Sequence, residues 1–475
     1  MKYKSLLVLL LFFFTALFIA ARFPSPVKQT QKLSQPNIII IMADDLDSRQ
    51  LSCYGGKNIT TPNIDGLAAQ GLKFNQIFAS EAMCVPIRAS LFTGLYPMRH
   101  GSFQNHKPVY DDKNIKSVCQ YLGSNGYKVG LTGKNHSTTP RTVFPFQIIK
   151  GFETNCLSTT DNYYLDSVKQ FITKKDKPYC LFVMSINPHI PWSVGNPAEF
   201  NPDKLVLPPN WVDTKVGRNK FCKYLAEVRE LDNQVGDILK MLKNTGQDQN
   251  TMVVFLGEQG PEFPGGKWTS WDYGQKSSMI ARLYGKIKPG TETNAIVQYE
   301  DITPTLIDIA GGKPVAGLDG HSFLPVLYGK SNQFRDYGYG IHNNIPEGTA
   351  YSIRSVRDTK YKLILNLSAP EKYYNKPIMN PAHKNSIWAS WVGHANTDNN
   401  PHDRFIVQRE VNRPGTELYN MQADPYELQN LAGDTKYKSI IAALTLKLKE
   451  WMKQQGDAGA VVDRHYPNTG NDKAD

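Results

Sequence analysis

The chain has 475 residues, of which 40% are hydrophobic and 20% are charged, and a formal net charge of +11 at pH 7. This composition excludes a disordered protein, and the length allows roughly two or three ordinary domains or one large α/β domain with an appendage. The positive charge favours polyanionic partners, but the sequence contains no recognisable nucleic-acid-binding module, so we expect no nucleic-acid partner.

The N-terminal segment has the pattern of an export signal. A basic head precedes an apolar run over residues 6–21, which ends in the small residues Ala20 and Ala21. This pattern predicts a signal peptide over residues 1–22 and a periplasmic or secreted protein, with a retained membrane anchor as the alternative. The six cysteines, at positions 53, 84, 119, 156, 180 and 222, predict neither a zinc site nor a defined set of disulfides.

Strands and helices alternate over the first 340 residues. The β-branched run at residues 37–42 is typical of a buried parallel strand, and further strands are predicted at 127–132, 179–186, 251–256 and 279–284. Helices are predicted at 62–70, 86–92, 114–124, 161–174, 219–244 and 301–310. This alternation predicts an α/β fold with a large, mostly parallel sheet sandwiched by helices, in a domain over residues 23–340.

The pattern changes after residue 340. Runs at 351–356 and 361–367 flank a polar turn and predict an antiparallel hairpin. A polar stretch at 370–404, to which no element is assigned, is followed by a predicted amphipathic helix at 436–453. We therefore expect a smaller C-terminal α+β subdomain over residues 341–475, containing an antiparallel sheet.

Two carboxylates follow the first strand. Asp44 and Asp45 lie at its C-terminal end, where open α/β sheets place their active sites. Carboxylates are hard oxygen ligands and suit Ca²⁺ or Mg²⁺ better than zinc. A helix cap or a solvated turn is the alternative interpretation.

Cys84 opens the most informative segment, Cys84-Val85-Pro86-Ile87-Arg88, with Thr93-Gly94 after it. Pro86 suits the first turn of a helix, which places residue 84 just ahead of a helix N-terminus, where anionic oxygens are stabilised. Arg88 lies four residues on, on the same helical face. A buried structural cysteine is the alternative interpretation.

Further polar groups follow later strands. Lys134 and His136 come after the strand at 127–132, and being two residues apart they point to the same side. His189 comes after the strand at 179–186, between two prolines that fix its backbone. Glu258 and Gln259 follow the strand at 251–256.

These segments together resemble type I sulfatases of the alkaline-phosphatase-like superfamily, most closely those that act on carbohydrate sulfates. The resemblance spans about residues 36–435 and includes Lys267, which matches the second lysine of that family. Two segments depart from the usual pattern: Asn135 stands where G-K-W-H has tryptophan, and Glu258-Gln259 stands where relatives have Asp followed by His or Asn.

The resemblance implies that a maturation enzyme oxidises Cys84 to formylglycine, whose hydrate attacks sulfur. It implies that Arg88 and Lys134 hold the hydrate and that Lys267, with the metal, neutralises the sulfate oxygens. His189 would protonate the departing sugar oxygen, and His136 would act as the base that releases sulfate. The implied metal is one Ca²⁺, with Mg²⁺ as the alternative, bound by Asp44, Asp45, residue 84, Glu258 and Gln259.

The implied substrate is a sulfated polysaccharide or oligosaccharide, with an algal galactan such as carrageenan favoured and a glycosaminoglycan second. Trp192, Trp268 and Trp271 lie in loops beside the expected catalytic residues and could stack on sugar rings. Arg282 and His342 are further candidate substrate contacts. Two alternatives stay open: a phosphonate or phosphodiester hydrolase of the same superfamily, and a non-catalytic protein that binds sulfated glycans. The sequence predicts no oligomeric state.

Overall fold

The computed structural model describes residues 35–174, 176–397 and 400–464, and the predicted signal peptide at 1–22 lies outside them. In chain order the strands of these ranges are β1 (Asn37–Met42), β2 (Leu72–Phe74), β3 (Ile77–Phe78), β4 (Lys128–Gly133), β5 (Gln147–Ile148), β6 (Tyr179–Met184), β7 (Thr251–Leu256), β8 (Met279–Arg282), β9 (Thr291–Thr293), β10 (Val297–Gln298), β11 (Gly338–His342), β12 (Ile353–Arg357), β13 (Tyr361–Asn366) and β14 (Thr416–Asn420).

The α-helices of the same ranges are α1 (Pro62–Ala69), α2 (Cys84–Thr93), α3 (Pro97–His100), α4 (Val118–Ser124), α5 (Asp166–Thr173), α6 (Lys215–Asn244), α7 (Asp272–Gln275), α8 (Ile302–Ile309), α9 (Leu324–Leu327), α10 (Lys376–Met379), α11 (Ile387–Thr397), α12 (Pro401–Val411), α13 (Lys438–Gln455) and α14 (Ala460–Arg464). Short 3-10 helices lie at Ser48–Gln50, Ser52–Tyr54, Pro197–Glu199, Pro202–Lys204, Asp248–Asn250, Tyr299–Asp301 and Thr435–Tyr437.

The central sheet has eight strands in the spatial order β5-β4-β6-β1-β7-β8-β2-β9. Its neighbouring strands are parallel, except that β8 runs antiparallel to β7 and β2. In the middle of the sheet, Met42 of β1 is level with Met184 of β6 and Leu256 of β7. The loops after these three strands therefore leave the sheet at one edge, where they form the site described below.

Both faces of the sheet are buried. Ile38 and Ile40 of β1 belong to the apolar core that includes Phe92 of α2, whereas Ile39 and Ile41 belong to the core on the side of α6. A strand covered on both faces has no solvent-facing positions, which accounts for the continuous apolar run at 37–42. The predicted α/β architecture is confirmed.

A second, antiparallel sheet has the order β11-β12-β13-β14. The predicted hairpin is β12 and β13, and the predicted C-terminal helix is α13, which packs Leu444, Leu448 and Trp451 into the core beside this sheet. The sheet begins at Gly338, close to the expected boundary at residue 340. The division of the chain into two domains at that boundary stays a prediction.

The polar stretch at 370–404, to which no element is assigned from the sequence, contains α10, α11 and the start of α12. Ile387, Trp388, Trp391 and Ala395 of α11 are buried, and their spacing of one, four and eight residues places them on one helical face. Within the described ranges, no helix combines the length and apolarity needed to cross a bilayer.

Candidate active site

The loop after β1 holds Asp44 and Asp45 at the sheet edge. The N–H of Asp44 donates to the carbonyl of Asn187, at 2.9 Å. The hydroxyl of Tyr224, on α6, donates to the carbonyl of Asp45 at 3.1 Å and accepts from the N–H of Asp47 at 2.7 Å. Asp45 has a left-handed backbone (φ 59°), which aspartate adopts more readily than most residues. Both carboxylates are fully buried by this arrangement.

Cys84 is the first residue of α2, with Met83 as the N-cap, rather than lying just ahead of the helix as expected. Pro86 therefore occupies the third helical position, where its missing N–H still removes no intrahelical bond. The Cys84 Sγ lies 3.7 Å from Asp44 Oδ1, 3.9 Å from Asp45 Oδ1 and 3.5 Å from Gln259 Nε2. Burial, with the two carboxylates, raises the pKa of the thiol against the effect of nearby lysines, so the unmodified residue is a neutral thiol.

Arg88 and Lys134 bring positive charge to the same point. Arg88 Nε donates to Glu258 Oε1 at 2.6 Å, and its Nη2 lies 3.7 Å from Asp44 Oδ1. The Lys134 ammonium forms a close ion pair with Asp44. Burial acts to lower the pKa of Lys134, but the Asp44 carboxylate outweighs it and raises that pKa. Both cations stay charged, and both pair with Asp44, which in turn contacts Cys84.

His189 and Lys267 approach from the loops after β6 and β7. Lys267 Nζ lies 2.9 Å from Asp45 Oδ2 and 3.3 Å from His189 Nε2. His189 Nδ1 lies 2.5 Å from the carbonyl oxygen of Ile190, so Nδ1 carries a proton and Nε2 faces the cluster. The site therefore presents an ammonium and an imidazole nitrogen side by side, a pair suited to protonating a leaving group.

His136 lies at the edge of this arrangement. Its Nε2 is 3.6 Å from the Cys156 Sγ, and its ring centroid is 6.2 Å from that of His106. Burial and the charge of Lys134 lower its pKa to about 2, so the imidazole is neutral. No hydrogen bond joins His136 to Cys84 among the described residues, and its role as a base stays a prediction.

The acidic cluster can hold a divalent cation. One ligand atom from each of Asp44, Asp45, Cys84 and His189 lies within 4.8 Å of the others. Gln259 Nε2 bonds Asp45 at 2.5 Å, and its buried Oε1 has no hydrogen-bond partner. A buried carbonyl oxygen without a partner is costly unless a ligand satisfies it, so this donor set fits a hard cation.

Glu258, expected as a metal ligand, has both carboxylate oxygens engaged. Oε1 accepts from Arg88, and Oε2 lies 3.3 Å from the N–H of Asp45. Its backbone is held at φ 63°, and the Tyr299 hydroxyl bonds its carbonyl at 3.1 Å. Burial raises the pKa of Glu258 while Arg88 opposes this. The side chain therefore contacts both Arg88 and the Asp44–Asp45 segment of the cluster, and its role as a metal ligand stays a prediction.

The expected tryptophans have three different surroundings. Trp192 is half-buried and lines a cleft of about 400 Å³ beside the cluster. Trp268 is buried, with Lys267 Nζ 4.9 Å from the centre of its ring. Trp271 is also buried, donates to Glu417 Oε2 at 3.0 Å and packs under Arg409. Trp192 alone of these three lines that cleft.

The two other expected substrate contacts have protein partners in the structure. Arg282 pairs in register with Val253, three residues back from the end of β7 where the cluster lies, and its Nη1 bonds Gln70 Oε1 at 3.0 Å. His342 is fully buried and has its Nδ1 2.9 Å from Glu81 Oε1. Arg282 therefore lies away from the loop edge that holds the cluster, and a substrate contact of either residue stays a prediction.

Four residues that support the site have no signal in the short motifs. Glu262 Oε2 lies 3.5 Å from Lys267 Nζ. The hydroxyls of Tyr224 and Tyr299 donate to the backbone carbonyls of Asp45 and Glu258, respectively, both of which have a left-handed backbone. Glu227 accepts from the N–H groups of the loop after His189, at 2.7 Å and 2.9 Å. Except for the contact of Glu262 with Lys267, these contacts join residues at least 33 positions apart in the sequence, which only the fold brings together.

Comparison with known proteins agrees with this geometry. The sulfatase family profile matches residues 36–312, and the profile of the N-sulphoglucosamine sulphohydrolase C-terminal region matches residues 267–383. The chain belongs to the sulfatase family. It is therefore a sulfuric ester hydrolase, and the interpretation as a non-catalytic binder is set aside.

Known relatives cover most of this sulfatase. An ulvan-active sulfatase of Formosa agariphila is 33% identical over 450 residues, covering 91% of this chain and 83% of that protein. The structure of BT4656 in complex with D-glucosamine-2-N,6-O-disulfate has a TM-score of 0.67 at 20% identity, covering 90% and 99% of the two chains. The phosphonate monoester hydrolase of Agrobacterium radiobacter also has a TM-score of 0.67 at 20% identity, covering 88% and 96%. At that identity the two structures show a shared fold.

Proposed function

We propose that this sulfatase hydrolyses sulfate esters of a sulfated polysaccharide or oligosaccharide, with Cys84 matured to formylglycine as the nucleophile. The observation that carries the proposal is the position of Cys84. It starts a helix at the sheet edge, within 4 Å of two carboxylates and an amide that together suit a hard cation. As an unmodified residue it would be a protonated thiol, whereas hydrated formylglycine supplies a nucleophilic oxygen.

The surrounding side chains have separate proposed roles in binding sulfate and in moving protons. Arg88 and Lys134 lie where they can hold and polarise the oxygens of residue 84, because both pair with Asp44 beside it. Lys267 offers its charge to the sulfate oxygens from the Asp45 side. His189, with Nε2 towards Lys267, is placed to protonate the leaving sugar oxygen. His136, half-buried at the edge of the site, is the proposed base for release of sulfate.

We propose Ca²⁺ as the cofactor, with Asp44, Asp45, Gln259 and residue 84 as its ligands and Mg²⁺ as the alternative. The donor set is mainly oxygen, and it contains two carboxylates and a carbonyl, which favours a hard ion. The ion would supply a positive charge that binds and polarises sulfate. Glu258, whose carboxylate lies beside Asp44 and the N–H of Asp45, is a further proposed ligand.

The proposed substrate is an algal polysaccharide. The 33% identity with an ulvan-active sulfatase supports ulvan as the first polymer to test, ahead of carrageenan, which the sequence alone favours, and of glycosaminoglycans. An algal polymer lies outside the cell, which agrees with the proposed export of the protein to the periplasm or medium. A formylglycine-generating enzyme of the native host is the one partner that the mechanism requires.

Mass spectrometry of the peptide that contains residue 84, from protein made in its native host, tests the proposal. We expect the mass of formylglycine, together with release of sulfate from ulvan or carrageenan and from 4-nitrophenyl sulfate. Cys84→Ala should abolish release while leaving the fold intact. An unmodified Cys84 in active protein would contradict the mechanism. Faster hydrolysis of an aryl phosphodiester than of the aryl sulfate would favour the phosphodiesterase alternative.

A further inference from the structure

A cleft of about 400 Å³ opens next to the catalytic cluster. It is lined by residues of four separate segments, among them Ile190, Trp192, Lys220, Glu262, Asn385 and Trp388. Ile190 follows His189 directly, and Glu262 contacts Lys267 at 3.5 Å, so the cleft begins where the leaving group of the substrate would lie. Its volume is within the range of roughly 300–1,000 Å³ that is common for ligand sites.

The walls of the cleft suit a sugar ring. Trp192 is held in place by Phe263 and Tyr224, whose ring centroids lie 5.0 Å and 5.9 Å away, and its Nε1 donates to the carbonyl of Pro188 at 3.0 Å. Trp388 contributes a second aromatic side chain from α11. Fixed aromatic faces bind the apolar face of a pyranose with little loss of side-chain entropy.

Lys220 gives the cleft its charge. It lies on α6 and is half-buried, and no carboxylate of the described residues is within ion-pair distance of it. The carboxylate of the cleft, Glu262, is directed to Lys267 instead. Burial, with a smaller effect of Lys223, lowers the pKa of Lys220, as expected for a cation without a compensating anion. A ligand anion would supply that compensation.

We propose that Lys220 is a specificity-determining residue that binds a second anionic group of the substrate, a carboxylate or a sulfate, on the sugar next to the one that loses sulfate. The inference rests on the proposed function, because it takes the glycan chain to run from the catalytic cluster into this cleft. It predicts a preference for glycans that carry an anion on each of two adjacent residues.

The test compares the matured wild-type enzyme with Lys220→Met, which removes the charge but keeps the length, and with Lys220→Arg, which keeps the charge. Lys223→Met is the matched control, since Lys223 is exposed on the same helix outside the cleft. Three sulfated disaccharides serve as substrates. Their second residue carries a carboxylate, the primary alcohol formed by reduction of that carboxylate, or a sulfate. The fourth substrate, 4-nitrophenyl sulfate, carries no second anionic group.

We expect Lys220→Met to raise KM about tenfold, equivalent to about 1.4 kcal/mol, for the disaccharide with the preferred second anion. The values for the reduced disaccharide and for 4-nitrophenyl sulfate should not change, and Lys220→Arg should retain most of the affinity. A larger effect with the carboxylate identifies a uronic acid, and a larger effect with the sulfate identifies a disulfated unit. Equal losses on all four substrates, or no loss on either dianionic disaccharide, would overturn the proposal.

A binding measurement separates this inference from the proposed function. Calorimetry with the two dianionic disaccharides, in proteins that also carry Cys84→Ala, measures affinity without turnover. Absence of sulfate release by the wild type would count against the proposed function alone. Equal affinities of the Cys84→Ala protein with and without Lys220→Met would refute the role of Lys220, whatever the activity.

Discussion

Tyr224→Phe isolates the contribution of the fold to the geometry of the catalytic loop. Tyr224 is fully buried, and its hydroxyl bonds the N–H of Asp47 and the carbonyl of Asp45. Removing it leaves two buried backbone groups without partners, each costing about 1–3 kcal/mol, so we expect a loss of roughly 2–6 kcal/mol in the free energy of unfolding. Because Asp45 is held at φ 59°, loss of this bond should also displace its carboxylate and lower kcat.

The assay measures urea midpoints by tryptophan fluorescence and kcat with 4-nitrophenyl sulfate on the same preparations. Tyr179→Phe is the control, because its hydroxyl makes one side-chain hydrogen bond, to Thr251 Oγ1 at 3.3 Å, at the opposite end of the same strands. We expect the control to lose about 1 kcal/mol or less and to keep its kcat. Wild-type activity and midpoint in Tyr224→Phe, or a loss of kcat no greater than that of the control, would refute the reasoning.

Three further predictions concern the acid, the metal and pH. His189→Ala should slow polysaccharide desulfation by about 10²–10⁴-fold and an activated aryl sulfate much less, whereas His136→Ala should slow both. Equal losses on both substrates for His189→Ala would instead assign the acid role to Lys267. Exhaustive chelation under partly unfolding conditions should abolish activity and Ca²⁺ should restore it, and stoichiometric zinc in the native protein would contradict this. Burial raises the pKa of Glu227 from 4.5 to about 7, so the folded state binds its proton more tightly than the unfolded state. Stability relative to Glu227→Gln should therefore fall as the pH rises through this interval, and urea midpoints that rise instead would show the sign to be wrong.

The parts of the fold that follow from the sequence are those in which burial leaves a periodic pattern. The run at 37–42 is apolar at every position because β1 is covered on both faces, and it is therefore recognisable as a central strand. In contrast, β5 has two exposed residues and β3 is only two residues long, and such short edge elements depend on pairing partners that the sequence does not reveal. Helix α11 was not recognised in the sequence because polar residues surround it, although its tryptophans, Trp388 and Trp391, have a helical spacing.

The site was predictable to the extent that its residues belong to short motifs at strand ends. Such motifs bring Asp44 and Lys134 together, because the parallel strands β1 and β4 end at one edge of the sheet. They do not reveal how side chains pair: Glu258 reaches Arg88, and His342 is enclosed against Glu81. Pairings of this kind depend on distances between segments more than 150 residues apart, which no local pattern specifies.

The electrostatic balance of the site explains why buried cations persist there. Arg88, Lys134 and Lys267 are all buried, and four carboxylates lie within ion-pair distance of them, those of Asp44, Asp45, Glu258 and Glu262. Burying a charge costs roughly several kcal/mol per ion, and these carboxylates compensate the three cations but would leave part of the charge of a bound divalent metal uncompensated. The remaining positive charge lies at the point where sulfate would bind, so the substrate itself completes the balance. The same reasoning extends to the cleft, where the ammonium of Lys220 is partly desolvated and would be compensated by an anionic group of the ligand.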